Sequence, residues 1–74
     1  MNFDLDTKEG MANAVLWTQN IVDTIKDGGS WIVPRSGTVV FVNKTNRVAT
    51  IYSLIPDTAI PRVFKAMGWE VIEK

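Results

Sequence analysis

The sequence predicts a small α+β domain: an antiparallel sheet of three to four strands with two helices packed on it, in the order α-β-β-β-α-β. Three observations carry this. An amphipathic helical pattern occupies residues 8–26, a run of β-prone segments broken by turn residues fills 30–55, and a second short helical segment ends at Gly68 before the alternating Trp69–Glu73. One layer of helices on one sheet face is the simplest way to bury these patterns together.

In the first helix, Met11, Ala14, Val15, Thr18, Ile21, Val22 and Ile25 fall within about 60° of one line at helical spacing, so this line is the expected core face. Asp6 is the expected N-cap, with Glu9 three residues on in a capping-box spacing. Gly28-Gly29 should stop the helix, with Lys26 in the last turn suited to the helix dipole.

Ser30–Pro34 reads as a strand that ends where Pro34 can no longer donate to a ladder. Pro34-Arg35-Ser36-Gly37 is a turn. Thr38–Val42 is the most β-prone segment, and Phe41 within it is expected in the core, where Phe41→Ala would cost about 3–5 kcal/mol. Asn43–Asn46 is a polar turn, and Arg47–Ile55 completes an antiparallel meander.

Pro56-Asp57 ends that strand, and Asp57 or Thr58 caps a helix running to about Met67. Gly68 is a C′ glycine, and a Schellman ending would pack Trp69 on Phe64. Trp69–Glu73 alternates as a final strand, and the alternation of Phe3 and Leu5 with Asp4 and Asp6 allows a short N-terminal one.

Seventy-four residues make one small domain spanning 1–74, with 46% apolar residues for a core and no cysteine to staple it. Without His or Cys, the usual transition-metal ligand sets, the commonest general base and the thiol nucleophile are all missing. The carboxylates are scattered and no phosphate loop is present, so no catalytic residue, metal or cofactor is expected and the chain is read as a non-enzyme. No apolar run reaches the roughly 20 residues of a membrane helix, and the acidic start is unlike a signal peptide. A cytoplasmic setting without membrane contact is expected.

The charges cancel in sum but not in place. Residues 1–27 carry a net of −3, residues 28–56 carry Arg35, Lys44 and Arg47 with no acid, and residues 57–74 balance. Such a split points to partner recognition. Two surfaces are candidates. Leu16 lies about 160° from the core line of the first helix, and with Trp17 and Asn20 it forms an expected protein-binding patch, for a second copy or another protein. The alternative is a weak nucleic-acid-binding domain in which Arg35, Lys44 and Arg47 on the meander contact phosphates and Trp31 stacks a base. The α-β-β-β-α order is similar to that of double-stranded-RNA-binding domains, but Asp57–Pro61 stands where they carry a lysine cluster, so that function is not carried over. Residues 28–38 (GGSWIVPRSGT) and 66–71 (AMGWEV) resemble segments of small uncharacterised bacteriophage-type proteins. That resemblance implies a short viral protein in the host cytoplasm that modulates a host protein by binding it. It assigns no functional residue.

Overall fold

The computed structural model describes residues 3–54 and 58–74. The expected strand end at Ile55, the Pro56 break and the Asp57 cap lie outside the described residues.

Helix α1 spans Lys8–Thr24. Its buried residues are Ala14, Thr18 and Val22, all on the expected line, whereas Leu16 points away from it and is 62% exposed. The N-cap is Thr7, not Asp6. The Thr7 backbone is extended (φ −108°, ψ 151°), and its hydroxyl accepts the Gly10 N–H at 2.9 Å. Asp6 is held one step earlier: its N–H donates to Asp4 Oδ1 at 3.0 Å, and its carboxylate receives Arg62 of the second helix at 3.2 Å. The same turn explains why Phe3–Asp6 is no strand. The chain reverses at Leu5-Asp6 into the cap, and the Phe3 ring instead lies 5.9 Å from that of Trp17. At the other end Ile25 is already extended (φ −94°, ψ 132°) and turns back onto the core, which leaves Lys26 outside the helix.

The sheet has four strands in the order β1-β2-β3-β4: β1 Ser30–Ile32, β2 Val39–Asn43, β3 Val48–Tyr52 and β4 Glu70–Glu73. The first three form the expected antiparallel meander, with Trp31 opposite Val40 and Val40 opposite Ile51. The expectation of a wholly antiparallel sheet fails at β4, which runs parallel to β3 with Val48 opposite Glu70 and Ile51 opposite Glu73. The cause is helix α2, Ala59–Ala66, between them. A connection carried over the sheet by a helix re-enters it in the direction in which it left.

Helix α2 ends as its sequence suggests. Gly68 has φ +84°, a conformation that costs other residues steric strain. The Trp69 N–H donates to Phe64 O at 3.0 Å and the Gly68 N–H to Lys65 O at 3.0 Å, the two bonds of a Schellman ending. The Trp69 ring then packs edge-on against Phe64 with centroids 5.4 Å apart.

Both helices cover one face. Val22 of α1 and Ile60 and Phe64 of α2 share a single buried cluster with Val40, Val42, Ala49, Ile51 and Trp69. Since Val40 and Val42 point inward, Phe41 between them points out, and it is 45% exposed. Its assignment to the core is therefore overturned. The period of two puts Phe41 with Val39 and opposite Val40 and Val42; the landing of the helices decided which pair is inside. Removing the Phe41 ring forfeits an edge-on contact with Tyr52, worth about 0.5–1.5 kcal/mol, rather than opening a core cavity.

One core group is out of balance. The Thr18 hydroxyl is fully buried and has no hydrogen-bond partner among the described residues. A buried polar group left unsatisfied costs about 1–3 kcal/mol, and valine has almost the same shape. Thr18→Val is thus expected to raise the urea midpoint by about 1 kcal/mol of stability at unchanged m-value; a lower midpoint would show that the hydroxyl is satisfied in solution.

Candidate docking surface

The strand register dictates what the uncovered side of the sheet displays. Residues that pair laterally point the same way, so three rows run across the outer face. The first is Ile32–Val39–Tyr52 and the second Ser30–Phe41–Thr50–Ile72. The third is Asn43–Val48–Glu70. Ile32, Phe41, Tyr52 and Ile72 all remain exposed there, with Ile32 at 66%. Phe41 and Tyr52 sit at the centre with ring centroids 5.5 Å apart at 81°. Edge-on aromatic pairs of this kind are rigid, and such residues anchor protein interfaces when a partner desolvates them. These exposed apolar side chains, interrupted by Ser30 and Thr50, make the open face a candidate interaction surface.

The sequence carried a signal for this face that periodicity reasoning passed over. Val39–Val42 is apolar at four consecutive positions. Such runs are typical of strands covered on both faces. Two helices cover only one.

The six residues singled out from sequence lie off this face: three on α1, across the sheet, and three in the turns at the ends of β2. Leu16 borders a groove of about 770 Å³ together with Leu5, Met11, Val15 and Ala66. Asn20, one turn after Leu16, is exposed but does not line the groove. Trp17 leaves that surface altogether: it is half-buried between Phe3 and Trp31, 5.5 Å from the latter. Trp31 itself packs on the core, on the helix side of the sheet.

The three cations of the meander are not brought together. Arg35 lies in the β1–β2 turn and Lys44 and Arg47 in the β2–β3 turn, at opposite ends of β2. A five-residue strand separates them by about 17 Å. Arg47, at φ +55°, donates its guanidinium to Met67 O at 2.6 Å, where its charge complements the C-terminal end of α2. Lys44 belongs to a turn that is bound by an acid: its backbone N–H donates to Asp27 Oδ1 at 2.7 Å and the Thr45 hydroxyl to Oδ2 at 2.6 Å. The acidic and basic segments thus meet within the molecule at this clamp.

The Thr45 hydroxyl first and the Lys44 N–H second hold the Asp27 carboxyl below its ordinary value of 3.8. A depressed folded-state pKa adds stability that is fully present above the unfolded value and is lost as pH falls through the folded one. The stability gap between the parent and Asp27→Ala is therefore expected to be constant above about pH 5 and to shrink below pH 3.8. Urea titrations at a series of pH values measure it, and a gap independent of pH would show that the clamp does not depend on charge.

Most glycines and both tryptophans of residues 28–38 and 66–71 have structural work. Gly28, Gly37 and Gly68 hold positive φ, and Trp31 and Trp69 pack on the core. Among the described residues no group of three or more His, Cys, Asp or Glu could hold a metal ion, and no helix is long and apolar enough to cross a membrane. No family model, curated protein or solved structure matches the chain.

Proposed function

We propose that this protein is a non-enzymatic protein-interaction module whose docking surface is the open face of its sheet. The observation that carries the reading is the Phe41–Tyr52 aromatic pair, flanked by Ile32, Val39 and Ile72, on the face opposite both helices. Burying one large apolar side chain gains roughly 1.5–3 kcal/mol, so a partner that covers these five has enough to offset the cost of association. The lack of His and Cys supports a role without catalysis. The resemblance of residues 28–38 and 66–71 to bacteriophage-type proteins supports a host protein as that partner.

Phe41→Glu places a charge in the centre of that face, and Leu16→Glu places one at the helix groove. Both positions are exposed, so both variants should fold with melting temperatures within a few degrees of the parent. Affinity capture from lysate of the source cells, compared across the three proteins, should give the same partner with the parent and Leu16→Glu and none with Phe41→Glu. Loss with Leu16→Glu alone would move the docking site to the groove on α1.

A further inference from the structure

We propose that the open sheet face docks a second copy of this chain, about a two-fold axis that lies across the strands and reverses their direction. This rests on the reading of that face as the docking surface. The arrangement of charge on the face carries it. Glu70 and Ile72 point outward on β4, and the Lys74 N–H donates to Ile51 O at 2.9 Å, so the outward alternation continues to Lys74. The outer side of β4 therefore reads acid, isoleucine, base. A two-fold axis through the middle row sets Ile72 against Ile72 of the other copy and Phe41 against Phe41, and brings Glu70 of each copy to Lys74 of the other. A self-complementary pattern of this kind is what an isologous interface needs. An axis along the strands would instead place Lys74 over the apolar Ile32 and leave Glu70 without a counter-charge. With equal numbers of acidic and basic residues, two copies also approach without net repulsion.

The area sets the strength. Four strands about 4.8 Å apart and three to five residues long at about 3.3 Å each give roughly 270 Å² of flat sheet per copy. Standard interfaces bury about 800 Å² per partner, so the dimer should be weak, with Kd on the order of 10⁻⁴ M.

Sedimentation equilibrium from about 10 µM to 1 mM tests this. The parent should pass from monomer to nearly dimer mass. Glu70→Lys and Lys74→Glu, both at exposed sites, should each weaken dimerisation about tenfold, since both ion pairs become repulsive. An equimolar mixture of the two variants should recover the parent's association, because every facing pair is again opposite in charge. Phe41→Glu and, independently, Ile72→Lys should remain monomeric while keeping the parent's circular dichroism. A parent that is monomeric at 1 mM overturns self-docking; it leaves the sheet-face reading intact if the parent, and not Phe41→Glu, still captures another protein. A dimer that survives both Phe41→Glu and Ile72→Lys overturns the sheet-face reading as well. A parent dimer indifferent to all the charge variants overturns the strand-reversing axis.

Discussion

Phe64→Ala is expected to remove most of the stability of the domain. Phe64 is fully buried in α2, touches the core cluster on the inner face of the sheet, and meets the Trp69 ring edge-on at 5.4 Å. Truncating such a side chain costs about 3–5 kcal/mol, through lost transfer energy and the cavity left behind. A domain of this size has a total stability toward the low end of 5–15 kcal/mol. The Trp69 ring would also lose the contact that seats the Schellman ending, so β4 loses its anchor to α2. At about 4–8 °C per kcal/mol, the melting temperature should fall by at least 12 °C. Thermal denaturation followed by circular dichroism measures it, and a drop of less than 5 °C would mean that the core is organised around other residues.

Gly10→Ala is expected to destabilise the protein by about 2 kcal/mol, against the direction that helix propensity predicts. Gly10 lies in the first turn of α1, where alanine is intrinsically better by about 1 kcal/mol. A Cβ at this position would stand 1.8 Å from the Asp4 carbonyl oxygen and 2.8 Å from the Thr7 hydroxyl oxygen. The first of these is backbone and cannot rotate aside. Residues 4–7 would have to move, which breaks the Thr7 cap, typically worth about 1 kcal/mol, and draws Phe3 off Trp17. Urea unfolding decides the sign. A variant more stable than the parent would show that the N-terminal segment yields at no cost and that propensity governs here.

Much of the architecture was legible because it rests on neighbours in the chain. The burial line of α1 follows from the spacing of Ala14, Thr18 and Val22. The ending of α2 follows from Phe64, Gly68 and Trp69, five residues apart from first to last. The turns at Gly37 and at Asn43–Asn46 separate the strands as their residue types require. The cap was misplaced by one residue because Asp6 and Thr7 are both good N-caps by type, and the turn in which the Asp6 N–H bonds to Asp4 Oδ1 and the Thr7 N–H to Asp4 O puts Thr7 in the capping position.

The candidate site was the least legible part. β2 is apolar on both sides, so alternation alone cannot say whether Phe41 or Val40 is inside. That choice is made by where α1 and α2 land, and it turned the expected core residue into the centre of the open face. The same holds for Arg35 against Lys44 and Arg47, neighbours in composition but at opposite ends of a strand.

The sequence by itself therefore determined the elements, their order, the inward stripe of α1 and the stop of α2, because hydrogen bonds and periodicities that span three to six residues are written in adjacent side chains. Only the tertiary structure decided the parallel direction of β4, the face of β2 that is buried and the grouping of exposed apolar residues into one surface. Each of these depends on contacts between segments tens of residues apart, whose energies are set by the packing of whole layers rather than by any local preference.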